Sequence, residues 1–216
     1  MALTNRDVTA YGRLSYPDLF VPRQAFEDSD KKSYALTLLI PKSDTATIAR
    51  VQAAIQAAVQ DGVERRVLKN AIDPAQTKNP PLRDGDSMNN NGEPRGPEFA
   101  GHWFIAAKSP ESRKPFVVDQ NVQPIINEAD IYAGCYVNAA FQFYAYNHKS
   151  GGVGIAASFS GVQKAKDGEP LGGPAIEATD VFSALGGAPA AAQGGFGQPQ
   201  QQGGYNQPPA QTDMGF

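Results

Sequence analysis

Residues 134–147, GCYVNAAFQFYAYN, constrain the fold more than any other stretch of this sequence. Apolar residues occupy every odd position from 135 to 145, while tyrosines and polar residues dominate the even positions. Because successive side chains of a β-strand point to opposite faces, this alternation predicts a strand whose apolar face belongs in a core. The opposite face carries three large rings with polar tips, those of Tyr136, Tyr144 and Tyr146.

Short alternating or β-branched runs predict further strands. They are SYALTLLI (33–40), HWFIAAK (102–108), PFVVD (115–119), PIIN (124–127) and VGIAASFSGVQKAK (153–166). In the last run, Gly161 marks an expected bulge. Residues 71–98 contain NPP, DGD and NNNG and are predicted to form a long polar loop. About five or six strands and one long helix indicate a mainly β fold, a small closed barrel.

One segment has the periodicity of a helix. In residues 44–70, isoleucines and valines recur at spacings of three and four, as they do on one face of a helix. Ser43 or Asp44 is placed to cap its start. Gly62 is a candidate for its end or for a bend. The sequence therefore predicts one long α-helix.

The composition changes after residue 173. Residues 174–185, PAIEATDVFSAL, are mildly amphipathic and acidic, which is typical of a short helix. Residues 186–216 contain no Lys or Arg and consist mostly of Gly, Gln, Pro and Ala. Such a segment buries too little apolar surface to offset the entropy lost on ordering, so we predict a disordered tail. The folded domain is expected to span residues 1–173.

Composition also excludes several classes of protein. No apolar run approaches the roughly 18 residues that a membrane span needs, and the N-terminal MALTNRDVTAYG lacks a hydrophobic signal region, so we expect no export. Cys135 is the only cysteine, which excludes an internal disulfide and fits a reducing cytoplasm. The formal net charge is −3, so binding to nucleic acid requires the basic residues to gather on one surface.

Three stretches together carry a resemblance to a known family. They are GRLSYPDLFVP (12–22), YALTLLIPKSD (34–44), and YAGCYVNAAFQFYAYN (132–147) leading into GIAASFSGVQKAKDGEPLGG (154–173). Over most of residues 8–173 the chain resembles single-stranded DNA-binding proteins of tailed bacteriophages, related in fold to the replication proteins of short-tailed coliphages. The resemblance implies an OB-fold, a five-stranded barrel whose face and loops bind oligonucleotides.

The same family usually ends in an acidic tail with a terminal aromatic residue, which docks replication partners and competes with DNA. Phe216 matches the aromatic residue, and the resemblance implies partner docking there. The acidity is not matched, since TDMGF supplies only Asp213 and the chain-end carboxylate.

The predicted strand and the resemblance together indicate a surface for unpaired bases. Stacking on a flat aromatic ring contributes about 1–3 kcal/mol per base and tolerates any base. Tyr136, Tyr144 and Tyr146 suit this role, because the hydroxyl lets the ring tolerate water when DNA is absent. Alternatively, the helix or the C-terminal segment covers this face and the tyrosines are ordinary packing. Trp103 is an additional stacking candidate, although a lone Trp is more often part of a core.

Two groups of cations are candidates for contacts with phosphates. They are Lys108, Arg113 and Lys114 around KSPESRKP, and Lys149, Lys164 and Lys166 in the turn and strand after the tyrosines. Each neutralised phosphate contributes about −0.7 to the salt dependence of binding to a single strand. Alternatively, any one of these side chains merely solvates the surface.

No catalytic or metal-binding motif stands out. Cys135 belongs to the apolar set of a strand, where a thiol is normally inert packing, so neither His102 nor His148 is expected to activate it. DGDSMNNNGE (84–93) departs from a calcium loop because Met88 stands at a ligand position. We therefore expect no enzymatic activity, metal or cofactor.

The sequence thus predicts a phage protein of the host cytoplasm that coats single-stranded DNA during replication or recombination. Duplex DNA is a second candidate ligand, because phosphate contacts alone do not discriminate strands. Replication proteins are candidate partners of the tail, and RNA is a weaker alternative ligand for the same surface. The main rival is a phage structural or scaffolding protein that uses the tyrosine face for protein–protein contact.

Overall fold

The computed structural model describes residues 3–24, 31–89, 91–149, 152–172 and 181–182. Residues 1–174 form one compact unit. Of the second unit, residues 175–216, only Val181 and Phe182 are described. The short helix predicted at 174–185 therefore lies largely outside the described residues, and the tail predicted at 186–216 lies entirely outside them. The predicted domain boundaries stay predictions.

The described part of the first unit contains seven strands and one α-helix. In chain order they are β1 (Asp7–Gln24), β2 (Lys32–Pro41), α1 (Thr45–Glu64), β3 (Arg83–Asp84), β4 (His102–Pro110), β5 (Phe116–Val118), β6 (Tyr136–His148) and β7 (Gly152–Lys166). Short 3-10 helices lie at Pro74–Gln76, Pro97–Phe99 and Glu128–Asp130. Every predicted strand except the one at 124–127 is confirmed, with small shifts of its ends.

Five of these strands close into a barrel. Antiparallel pairings join β4 to β2, β2 to β1, β1 to β6 and β6 to β7. A parallel bridge between Ala107 of β4 and Ala157 of β7 completes the circle. The short strands β3 and β5 lie outside the circle, paired with β4 and β7. The predicted mainly β fold with a closed barrel is confirmed.

Strand β6 has the two faces that its alternation predicts. Val137, Ala139 and Phe143 are completely buried, and Phe141 is nearly so. The intervening side chains stay partly exposed over the same span. Burying a Val or Phe side chain stabilises a fold by roughly 1.5–3 kcal/mol, so this single strand contributes much of the barrel core.

Strand β1 is an element that alternation does not predict. Its pairing with β2 shifts register between Ser15 and Asp18 and again between Asp18 and Arg23. Because of the first shift, Leu14 and Leu19 are both buried although their odd separation would place them on opposite faces of a regular strand.

Helix α1 follows β2 and packs mainly against β6 and β1. The carboxylate of Asp44 caps its N-terminus by accepting a hydrogen bond from the backbone N–H of Thr47 at 3.0 Å. The buried face includes Ile48, Val51, Ile55 and Val59, as the spacing predicts. No helix in the described ranges is long and apolar enough to cross a membrane.

The C-terminal end of α1 differs from the prediction. The helix ends at Glu64 rather than at residue 70, and Arg66 takes a positive φ of 60°. Gly62 does not end the helix but lies inside it, against β6. A Cβ atom added to Gly62 would lie 2.4 Å from the Cβ of Ala145, so the close approach of helix and strand requires this glycine.

The prediction of a strand at residues 124–127 is wrong. This segment forms only an isolated bridge between Val118 and Pro124. The turn before it is closed by the backbone N–H of Asp119, which donates to the Gln123 carbonyl at 2.8 Å. Ile125 packs against the core, whereas Ile126 is 89 % exposed.

Two further expectations concern a loop and a bulge. The polar loop at 71–98 contains β3 and the 3-10 helix Pro74–Gln76, the 3-10 helix Pro97–Phe99 begins at its end, and it buries Pro74 and Pro81. In β7, the pairing passes from Gly161 opposite Ala140 to Phe159 opposite Phe141, which leaves one extra residue in β7. The bulge predicted at Gly161 is therefore confirmed.

Candidate nucleic-acid interface

A groove with a volume of about 630 Å³ lies over the place where β4 and β7 close the barrel. Strands β1, β2, β4, β6 and β7 contribute to it, together with the loop before β3. Small side chains such as Ala35, Ala106 and Ala156 line its floor. The larger side chains that line it include Tyr16, Arg83, Lys108, Tyr144, Tyr146 and His148. A flat base can therefore come close to the sheet with aromatic and basic groups around it.

Two of the predicted stacking tyrosines, Tyr144 and Tyr146, lie in this groove. The ring of Tyr144 is 39 % exposed, and burial of the rest raises the pKa of its hydroxyl. Tyr146 lies across Gly154, its partner on β7. A Cβ atom on Gly154 would lie 2.6 Å from the Tyr146 hydroxyl oxygen, so this small residue makes room for the ring.

Tyr16 is a third aromatic residue of the groove, and no pattern in the sequence predicts a role for it. It stands at the first register shift of β1 with a positive φ of 46°, a conformation that a bulky residue rarely adopts. Its side chain is 65 % exposed and stacks on Phe99 with ring centroids 6.5 Å apart. The stretch Ser15-Tyr16-Pro17, an aromatic residue directly before a proline, is the signal that marks it.

The cations of the groove have few acidic competitors. Lys108 lines the groove and is exposed on β4, whereas Lys149 is exposed next to His148 but is not one of the lining residues. The one carboxylate that lines the groove belongs to Asp18, and its Oδ1 already pairs with Nε of Arg23 at 2.7 Å. The predicted phosphate ligand Lys108 therefore lies beside Tyr144 and Tyr146 without a carboxylate of the described residues bound to it.

Tyr136 lies apart from the other two tyrosines. Its ring stacks on Tyr11 with centroids 5.8 Å apart, and Nζ of Lys166 lies 4.5 Å from the Tyr136 centroid. We call these three residues the Tyr136 patch. Tyr144 lies eight positions further along β6 than Tyr136, a distance of roughly 26 Å at the usual rise per strand residue. Tyr136 therefore lies outside the groove that contains Tyr144 and Tyr146, and the stacking roles of all three tyrosines stay predictions.

Comparison with known proteins identifies the family. A family model described as "Enterobacter phage Enc34, ssDNA-binding protein" matches residues 6–193. The chain belongs to this family of phage single-stranded DNA-binding proteins. Among curated proteins, a protein designated p50 of Acyrthosiphon pisum secondary endosymbiont phage 1 is 32% identical over 177 residues, which cover 80% of this chain and 90% of p50.

Solved structures agree with the family. The single-stranded DNA-binding protein of bacteriophage Enc34 in complex with ssDNA is similar with a TM-score of 0.62 and 28% identity, over 77% of this chain and 88% of that one. The protein gp2.5 of bacteriophage T7 is similar with a TM-score of 0.51 over 79% of this chain and 97% of its own, at 15% identity, which shows a shared fold. The predicted OB-fold of this phage family is confirmed.

Membership of the Enc34 family does not show whether DNA binds in the groove or at the Tyr136 patch, because the matched residues 6–193 include both. The remaining predicted cations of this family member lie outside the groove. Arg113 lines a different cavity beside Phe116, and Lys114 lines a third one. Near the Tyr136 patch, Nζ of Lys164 pairs with Oδ1 of Asp167 at 2.6 Å.

Two other predicted residues of this family member are also separate from the groove. Trp103 packs against the core and lines a cavity beside α1, with Nζ of Lys42 5.6 Å from its ring centroid. Phe216 lies outside the described residues. The DNA-binding role of Trp103 and the docking role of Phe216 stay predictions.

Cys135 is completely buried, and burial raises the pKa of its thiol. A thiol with a raised pKa stays protonated at neutral pH, and the protonated form is a poor nucleophile. The side chain therefore serves as core packing in this family member.

Proposed function

We propose that this chain binds single-stranded DNA without sequence preference and that the groove is the path of the DNA. Bases stack on Tyr16, Tyr144 and Tyr146, and phosphates contact Lys108 and Lys149. The observation that carries the proposal is that stacking rings and Lys108, a cation with no carboxylate partner among the described residues, line one groove of an OB-fold barrel. Binding through π faces and phosphates tolerates any sequence, since every nucleotide offers both.

The relatives support this assignment. The Enc34 protein, 28% identical over 77% of this chain, is known in complex with ssDNA. OB-folds commonly bind oligonucleotides on the barrel face and its adjoining loops. The groove lies on such a face and ends at the hairpin between β6 and β7, where Lys149 is located.

The biological role that fits is a coat on single strands exposed during phage replication or recombination, in the host cytoplasm. No catalytic step is proposed, and the buried, protonated Cys135 supports a purely binding role. Duplex DNA is a weaker second ligand in this proposal. Its phosphates can still contact Lys108 and Lys149, but its paired and stacked bases are not free to stack on the tyrosines.

A titration of the full chain with oligo-dT and with duplex of equal length, each at two salt concentrations, tests the proposal. We expect tighter binding to oligo-dT, with log affinity falling by about 0.7 per contacted phosphate for each tenfold rise in salt. Equal or tighter binding to the duplex would contradict the groove as a stacking site. A matched RNA competitor shows whether the ligand is DNA in particular.

The rival function, structural contact between phage proteins, has its own outcome. If the double change Tyr144→Ala, Tyr146→Ala removes self-association while oligo-dT affinity stays unchanged, the groove is a protein interface. We expect the opposite result. Folding of the variant is checked by its thermal unfolding midpoint.

The C-terminal segment is proposed to dock replication proteins through Phe216. Its residues 186–216 contain no cation that could hold DNA. Deleting them is therefore expected to leave folding intact and to leave affinity for oligo-dT unchanged or higher. A large loss of affinity on deletion would instead assign the tail aromatic residues to DNA binding.

A further inference from the structure

Two arginines next to the groove share one aromatic support. The guanidinium carbon of Arg83 lies 5.1 Å from the ring centroid of Phe104, and that of Arg95 lies 4.7 Å from the same centroid. Arg83 belongs to β3, and Arg95 precedes the 3-10 helix Pro97–Phe99. Phe104 is buried, so it holds both side chains against the barrel wall.

Neither arginine has a carboxylate partner within the described ranges. Nε of Arg83 donates to the Pro80 carbonyl at 3.1 Å, and one Nη of Arg95 donates to the Met88 carbonyl at 3.2 Å. Nε of Arg95 is buried without any hydrogen-bond partner. Burial, and secondarily the charge of Arg95, lowers the pKa of Arg83.

The neighbouring carboxylates are already engaged. Nζ of Lys42 lies 2.6 Å from Oδ1 of Asp84 and 2.7 Å from Oδ2 of Asp86. Asp84 follows Arg83 directly in the chain, yet its carboxylate pairs with the lysine. Two partly buried like charges with no counter-ion are unfavourable unless an anion from outside neutralises them.

The two arginines are connected to the stacking surface of the groove. Tyr16 stacks on Phe99, and Phe99 packs edge-to-face on Phe104 with centroids 5.0 Å apart. Arg83 itself lines the groove. Arg83 therefore lies in the same groove as Tyr16, and Arg95 shares its Phe104 support.

We propose that Arg83 and Arg95 form a phosphate-binding pair for the strand whose base stacks on Tyr16. The planar fork of a guanidinium group matches phosphate oxygens with two parallel hydrogen bonds, and Nε of Arg95 is a donor with no partner among the described residues. This inference rests on the proposed function and extends the groove beyond the lysines that the sequence predicts.

The test compares Arg83→Met, Arg95→Met as a double variant with Arg50→Met as the matched control. Methionine keeps an unbranched apolar stem on Phe104 and removes the charge. Arg50 is exposed on α1, where one Nη donates a hydrogen bond to Oγ1 of Thr47 at 3.0 Å. Affinity for oligo-dT is measured over a series of salt concentrations, and thermal unfolding checks the fold of each variant.

We expect the double variant to bind about tenfold more weakly at low salt. The magnitude of its salt slope should fall by about 0.7 if both arginines share one phosphate, or about 1.4 if each holds its own. The control should keep the slope of the original protein. A phosphate pair also predicts an equal loss on an oligonucleotide with abasic sites, since its contacts involve no base.

An unchanged salt slope in the folded double variant overturns the inference, whether or not affinity changes. Weaker binding at an unchanged slope indicates that the arginines have a structural role instead. If the double variant does not fold, the two single variants are measured, and an unchanged slope in both overturns it equally. Failure of the original protein to bind oligo-dT is a different result, because it contradicts the proposed function itself.

Discussion

The groove and the Tyr136 patch contain the same kinds of side chain in different states. In the patch, Tyr136 already stacks on Tyr11 at an interplanar angle of 13°, and Lys166 lies against the same ring. In the groove, Tyr144 is 39 % exposed and Lys108 is exposed beside it. In the patch each tyrosine ring has a stacked ring partner, whereas Tyr144 and Tyr146 have no stacked ring among the described residues.

This difference shows that a count of tyrosines and lysines does not define a binding surface. A base needs an uncovered π face, and a phosphate needs a cation without a competing carboxylate. Near the patch, Lys164 is bound to Asp167, and Nζ of Lys164 lies 5.5 Å from the Tyr132 centroid. We therefore propose that DNA binds in the groove and that the patch stabilises the fold.

The largest expected effect comes from removing the two predicted rings of the groove. Tyr144→Ala with Tyr146→Ala should weaken binding to oligo-dT by about 30-fold or more, since each lost stack is worth about 1–3 kcal/mol. Fluorescence titration measures the affinity. The variant is informative if its thermal unfolding stays cooperative.

A smaller loss is expected at Tyr16. The change Tyr16→Ala removes one stacking ring and should lower affinity for oligo-dT by about fivefold to tenfold. The ring is 65 % exposed, so stability should change little. Tyr16→Gly is the matched control for the backbone, because glycine also relieves the positive φ. Affinity that is unaffected in both variants would remove Tyr16 from the path of the DNA.

A still smaller effect tests the position of a ring rather than its presence. In Gly154→Ala, the new Cβ would lie 2.6 Å from the Tyr146 hydroxyl oxygen and 2.8 Å from Cζ, so the far end of this ring must move. We expect affinity for oligo-dT to fall about threefold, because the displaced ring loses only part of its stacking energy with one base. Ser160→Ala, on the same strand but outside the groove, should leave affinity unchanged. Equal affinity of both variants would show that the position of Tyr146 does not matter.

The smallest effect on DNA binding is expected in the patch. Tyr11→Ala with Tyr136→Ala removes as many rings as the groove variant, yet oligo-dT affinity should change less than about twofold, since neither ring is expected to contact a base. Stability should fall by about 1 kcal/mol or more, because a stacked aromatic pair is lost. Chemical denaturation measures that loss. If this variant loses affinity as the groove variant is expected to, the assignment of the two regions is reversed.

Much of the fold follows from local patterns in the sequence. Strand β6 could be predicted because Val137, Ala139 and Phe143 all enter one core, which enforces strict alternation. Helix α1 could be predicted because its apolar face packs on the barrel. Its end at Glu64 could not, because the following residues 65–70 continue the apolar spacing without being helical.

The site was less predictable than the fold because it joins segments distant in the chain. Alternation places Tyr136, Tyr144 and Tyr146 on one face of a strand but does not describe how that strand follows the barrel wall. Tyr16 stands at a register shift, where the period of two is interrupted. Arg83 lies in a segment whose polar composition predicts only a loop, and Phe104, which supports it, is 21 positions further along the chain.

Photo-crosslinking of the full chain to oligo-dT, followed by mass spectrometry of the linked peptides, tests the central claim most directly. If the DNA lies in the groove, crosslinks form at Tyr144, Tyr146 and Tyr16. An excess of unlabelled oligo-dT should abolish all of them. Crosslinks concentrated at Tyr11 and Tyr136 would contradict it and place the DNA on the patch.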